Sequence, residues 1–330
     1  MVVGVEYNVV ILFKYTDYRS NSQIFFVSCP KIKSKMEKKI QFWMLVLVLC
    51  APLTGLWAAE RGFVAVPEGR LYYEISGEGD PLIFVHGHSL DRRMWREQVA
   101  FFEKHYRVIV YDARGYGKSS KQREDLRFTH CDDLVCLMDA LGIEKAHMVG
   151  LSMGGFIAGD MLAMHPERLL SCVLAEGHIR STPSINEPMT DEERAAKQAS
   201  IDAVLKKGMR TYKKEWFESL MKGGSKAERM RKPLWRQIRK WDGWQATHHE
   251  VHCYYAREAM EVLKERKPDV PTLFLSGRRP TGKQRTNPSM MNYLKHSRHE
   301  YIDDSGHMCN MEQPEDFNQK VFAFLAENRF

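Results

Sequence analysis

Lys145-Ala-His-Met-Val-Gly-Leu-Ser152-Met-Gly-Gly155 is the stretch that decides the fold. An apolar pair, Met148 and Val149, leads into Gly150-Leu151-Ser152-Met153-Gly154, and an Ala/Met/Leu-rich helical segment follows. Glycine, any residue, serine, any residue, glycine between a strand and a helix predicts a sharp turn that lifts the serine Oγ clear of the backbone. The glycines are needed because a Cβ at either position would collide with the neighbouring strand or helix. Once the turn is made, the amide of Met153 lies at a helix N-terminus, where it can stabilise an oxyanion on an attacked carbonyl. The competing reading is a tight turn with a capping serine. The strand before it and the helix after it favour the nucleophile.

Around this stretch the chain has 330 residues, enough for one large domain or a core with an insertion. Its net charge of +7 is spread along the sequence, with Glu and Asp interleaved among Lys and Arg. No basic stripe with interleaved aromatics marks a nucleic-acid binder. Seven cysteines, at 30, 50, 131, 136, 172, 253 and 309, show neither a disulfide framework nor zinc-ligand spacing.

From Met36 a short basic start, an apolar core and a small-residue exit at Ala58-Ala59 predict a signal peptide over 36–59, and so a secreted or periplasmic protein. The apolar run is short for a membrane span, so no stable span is expected once the leader is removed. Cys50 raises a lipoprotein reading, but Leu49 stands where a small residue is expected. Because this leader is internal, residues 1–35 are read as a non-native upstream extension, the alternative being a buried amphipathic one.

Beyond the leader, apolar runs predict strands at 62–66, 70–75, 82–85, 107–111, 171–175, 271–275 and near 300–302, besides the one before Ser152. Capping boxes are expected at Thr129/Asp132 and Thr190/Glu193, and a closing helix from about Pro314. Between 178 and 268 the chain turns charged and helical, with tryptophans at 216, 235, 241 and 244. The expected organisation is a core at 60–177, a helical cap at 178–268 and a second core segment at 269–330. Trp241, Trp244, Tyr254 and Tyr255 could line an apolar pocket or fasten the cap to the core. His248, His249 and His252 miss the zinc-protease spacing by one residue, so a solvated cap helix is expected there and no metal.

His86-Gly87, Asp112-x-Arg114-Gly115-x-Gly117-x-Ser119, the Gly-Leu-Ser-Met-Gly-Gly turn and Gly306-His307, in that order, make residues 62–330 resemble the α/β-hydrolase superfamily. The turn itself looks like the esterase, lactonase and cofactor-free haloperoxidase branch. The resemblance implies a mostly parallel eight-stranded sheet flanked by helices, with a helical cap insertion. It also implies Ser152 as nucleophile, His307 as base and then acid, and an oxyanion hole from the amides of His88 and Met153. His86 and Asp112 are expected to brace loops.

The superfamily usually places its triad carboxylate after the strand that ends here at Leu275, but this chain reads Gly277-Arg278-Arg279-Pro280. A second location, used by the haloalkane dehalogenases, follows the strand after the turn helix and holds Glu176 here. Glu176 is therefore the expected acid, with Asp303 and Asp304 as lesser candidates. A serine nucleophile argues against dehalogenase and epoxide hydrolase chemistry. The expected activity is cofactor-free hydrolysis of a small-molecule carboxylic ester or lactone. Its alternatives are a cofactor-free perhydrolase or acyltransferase, and a non-catalytic binding relative.

Overall fold

The computed structural model describes residues 60–249, 253–280 and 289–328, and a two-residue strand pair, Phe13–Lys14 with Ile24–Phe25. That antiparallel pair belongs to a separate compact unit. The expected leader at 36–59, most of the upstream extension and His252 lie outside the described residues.

One eight-stranded sheet forms the core: β1 Glu60–Val66, β2 Gly69–Ser76, β3 Pro81–Val85, β4 Arg107–Asp112, β5 Ala146–Leu151, β6 Leu169–Ala175, β7 Thr272–Arg278 and β8 Ser297–Asp303. Their spatial order is β8-β7-β6-β5-β3-β4-β2-β1. β2 runs antiparallel to both β1 and β4, and the remaining pairs are parallel. A parallel strand must be covered on both faces, which is why β3 is an apolar run and β5 is buried throughout, its one polar side chain, His147, bonding the Ser171 hydroxyl at 2.8 Å. Successive side chains alternate between the layers. Ile83 and Val85 enter the core shared with α2 (His130–Ala140) and α3 (Met153–Met164). Leu82 and Phe84 enter the opposite core, with α1 (Arg96–Phe102).

The stretch from 178 to 268 holds α4 Asp191–Lys207, α5 Met209–Leu220, α6 Arg231–Ile238, α7 Trp244–Thr247 and α8 Arg257–Arg266. α4 opens with the full reciprocal cap between Thr190 and Glu193. At α2 the expected reciprocity is one-sided. Thr129 accepts from the Asp132 amide, while the Asp132 carboxylate turns to the Tyr255 hydroxyl at 3.0 Å. α8 packs against α3 through Ala259 and Leu263. The chain closes with α9 Cys309–Glu312 and α10 Pro314–Glu327, whose Phe317 and Val321 are fully buried. Among the described residues no helix is long and apolar enough to cross a membrane.

Candidate active site

Ser152 sits between β5 and α3 with φ 58° and ψ −114°, a conformation costly for any residue with a side chain. Two bonds hold it there: its amide donates to the Ala175 carbonyl at 2.9 Å, and its own carbonyl accepts from Phe156 at 3.0 Å. The turn closes only around glycine. A Cβ on Gly150 would stand 2.1 Å from the Gly154 carbonyl oxygen, and one on Gly154 would stand 2.0 Å from that of Val85. Met153 is the first residue of α3, so its amide has no acceptor within its own helix.

The loop after β3 lies against this turn; a Cβ on Gly87 would be 3.6 Å from that of Ser152. Fully buried His86 fixes the loop. Its Nδ1 donates to the Gly87 carbonyl at 2.9 Å and its Nε2 accepts from the Ala113 amide at 2.9 Å, which ties the β3 and β4 loops together. Burial pushes the His86 pKa down, so the ring stays neutral. Asp112 braces the next loop, accepting from the amides of Arg92 and Lys118 and from the Arg92 guanidinium. The His88 ring bonds the Tyr116 hydroxyl at 2.8 Å and meets Trp241 edge-on at 4.8 Å. Ser89 follows in the left-handed region at φ 63° and accepts from Trp216 Nε1 at 2.7 Å, which brings the cap onto this loop. Burial, with the positive charges of Arg180 and Lys197, holds the His88 pKa at about 4.

Glu176 immediately follows β6, also with a left-handed backbone at φ 52°. Its amide donates to the Leu275 carbonyl at 2.8 Å and its Oε1 accepts from the Gly277 amide at 2.6 Å. Its Oε2 lies 3.2 Å from His307 Nδ1. A carboxylate there can only accept, so Nδ1 carries the proton and Nε2 keeps its lone pair. The glutamate side chain is 2% exposed and the imidazole 23%. No hydrogen bond joins the Ser152 hydroxyl to His307 among the described residues; such bonds commonly tighten only when substrate is bound.

Asp303 and Asp304 do not touch His307. Asp303 pairs with Arg278, and Asp304 accepts from the Ser225 amide at 2.9 Å. The residue that holds the His307 loop is Glu312, fully buried, whose carboxylate accepts from the Gly306 amide at 2.8 Å and from the Gly224 amide of the cap. Burial pushes its pKa up. Its only sequence signal was an acidic residue inside the otherwise uncharged run Met308–Pro314.

The aromatic residues of the cap divide. Trp241 and Tyr254 are buried in the core shared with α2 and α3, and Trp241 also faces His88. Trp244 stacks on His248 at 4.8 Å, and Tyr255 binds Asp132. The expected helix through His248 is not there: α7 ends at Thr247 and His248 is extended. The backbone straightens where Thr247 and His248 bond back to the Trp244 carbonyl, so His248 does not lie on a helix face. His249 bonds Gln198 at 2.7 Å. A cavity of about 400 Å³ beside the His88 loop is lined by Ser89, Tyr116, Gln237 and Trp241, but by neither Ser152 nor His307.

Functional groups gathered at the carboxyl ends of parallel strands, under a helical insertion, define an α/β enzyme class. A family profile described as alpha/beta hydrolase fold matches residues 80–314, and the chain belongs to that family. It is 26% identical to an (E)-2-((N-methylformamido)methylene)succinate hydrolase of Acinetobacter baylyi, over 77% of this chain and 93% of that one. To 3-oxoadipate enol-lactonase 2 of the same organism it is 28% identical, over 77% and 92%. A solved thermophilic esterase from Thermogutta terrifontis, with malate bound, aligns with a TM-score of 0.67 at 25% identity. That alignment covers 82% of this chain and 100% of the other.

Proposed function

We propose that this ester-acting α/β hydrolase is a serine hydrolase that cleaves a carboxylic ester or lactone through an acyl-enzyme. The observation that carries the reading is the buried Glu176 carboxylate set 3.2 Å from His307 Nδ1 at the strand ends beside the Ser152 turn. Fixing the proton on Nδ1 presents Nε2 as the base, and the carboxylate stabilises the imidazolium that forms. His307 takes the Ser152 proton as Oγ attacks the carbonyl, and the amides of His88 and Met153 receive the negative charge on its oxygen. The imidazolium then protonates the departing alkoxide, leaving the acyl group on Ser152. Water, deprotonated by His307, attacks the acyl carbonyl and releases the acid. The esterase and lactonase among the similar proteins support an ester bond as the target. A p-nitrophenyl ester assay on wild type and Ser152→Ala tests this: turnover lost in the variant is expected, and turnover retained refutes it.

A further inference from the structure

Arg180 lies on the loop that leaves β6, four residues after Glu176. Its guanidinium carbon stands 5.3 Å from the ring centre of Phe156 and 5.1 Å from that of Tyr254. Phe156 is one helical turn beyond Ser152 and bonded to its carbonyl. The two rings hold the guanidinium by cation–π attraction, one turn from the proposed nucleophile.

Most arginines packed into this fold are spent on acids: Arg92 on Glu74 and Asp112, Arg114 on Asp133, Arg168 on Asp139. Half-buried Arg180 pairs with no carboxylate among the described residues. The buried acid that feels its charge, Asp160, already accepts from the amides of Tyr255 at 2.7 Å and Ala256 at 3.3 Å. Lys197 of α4 is also half-buried and has no described carboxylate; its ammonium donates to the Gln245 carbonyl at 3.2 Å. Gln245 in turn accepts from Trp241 Nε1 at 2.7 Å, and the Trp241 ring meets that of His88 at 4.8 Å, on the oxyanion side of the site; burial and then both cations lower the His88 pKa. Arg180 thus stands against the ring one turn from Ser152, and Lys197 against the residue that holds the ring facing His88, neither with a carboxylate partner among the described residues.

We infer that Arg180, assisted by Lys197, binds a carboxylate carried by the substrate away from its scissile bond. The preferred substrates are then half-esters of dicarboxylic acids, or lactones bearing a free carboxylate, rather than neutral esters. This rests on the serine-hydrolase reading above. A guanidinium already fixed by two rings loses little freedom on pairing, and it matches a carboxylate with two parallel donors. Partial burial makes that pair stronger than one on an open surface.

Mono-p-nitrophenyl glutarate and p-nitrophenyl valerate share a leaving group and differ mainly in the terminal charge. Wild type should favour the glutarate by roughly tenfold or more in kcat/KM, the scale of a charge-assisted hydrogen bond. Arg180→Met should collapse that preference mainly through KM, with Arg180→Lys keeping part of it and Lys197→Met reducing it. Should Arg180→Met fail to fold, the wild type still answers: free glutarate should inhibit competitively and glutaramide should not, with inhibition weakening as salt rises. Equal kcat/KM for the two esters, or no inhibition by glutarate, overturns the inference while leaving the hydrolase intact. Failure to turn over either ester, or turnover by Ser152→Ala, overturns the underlying reading instead.

Discussion

The Glu176 carboxylate and the His307 imidazole, 131 residues apart in sequence, meet with Oε2 3.2 Å from Nδ1. The glutamate crosses from the end of β6 to the neighbouring strand, where its second oxygen takes the Gly277 amide at 2.6 Å. That amide belongs to the segment in which this superfamily usually carries its acid. A Cβ on Gly277 would stand 2.1 Å from the Gly306 carbonyl oxygen, so the position brings β7 and the His307 loop into contact while Glu176 fills the space between.

Glu176→Gln keeps the shape and removes the charge that orients the imidazole. It should lower kcat by about 10²- to 10⁴-fold, as loss of a triad carboxylate does, with KM little changed. Asp303→Asn should fall within about threefold of wild type, because an exposed pair with Arg278 contributes little. Steady-state kinetics on an activated ester decide it. If Asp303→Asn carries the large loss instead, the assignment of the acid is wrong.

Glu312 accepts from two amides, one from the His307 loop and one from the cap. A glutamine there offers one acceptor oxygen and turns an NH2 group toward a second N–H. An unsatisfied buried donor costs about 1–3 kcal/mol, so Glu312→Gln should lower Tm and reduce kcat by roughly tenfold. A variant with wild-type kcat and Tm would show that the clamp does not position His307.

The turn chemistry and the positions of the strands could be read from local sequence, because each depends on residues adjacent in the chain; the search for an acid outside Gly277–Pro280 followed from the resemblance. Glu312 and Arg180 could not. What sets them apart is the backbone or rings they meet from distant segments, and neither residue type signals that by itself. The misread helix at His248 has the same origin: its polar run reads as a solvated helix, but side-chain bonds to the Trp244 carbonyl end α7 first. At Thr129 the short motif promised a reciprocal cap, and Tyr255, 123 residues from Asp132, captured the carboxylate instead.

Acid should destabilise the fold near pH 5. Burial pushes the His86 pKa down, holds His88 at about 4 and holds His130 at about 3. Below their ordinary value of 6.5 the unfolded chain takes up protons that the folded imidazoles refuse. Their contribution is therefore present above 6.5 and lost as pH falls toward 4. Asp160 works the other way. Its carboxyl is pushed up to about 7 by burial, so its contribution is present below the ordinary 3.8 and lost as pH rises through 7. The three imidazoles outweigh Asp160 and Glu312, whose carboxyl is likewise pushed up by burial, and Tm by calorimetry should drop by about 5 °C or more between pH 6.5 and 4. A Tm that is flat or rises toward pH 4 would contradict this.

The most direct measurement is intact-mass spectrometry after exposure to a fluorophosphonate, which reports only a serine already activated by its base. The account predicts one adduct, mapped to Ser152, formed on wild type, absent from Ser152→Ala and His307→Ala, and slowed in Glu176→Gln. An adduct that persists in Ser152→Ala, or forms at the wild-type rate in His307→Ala, would contradict it.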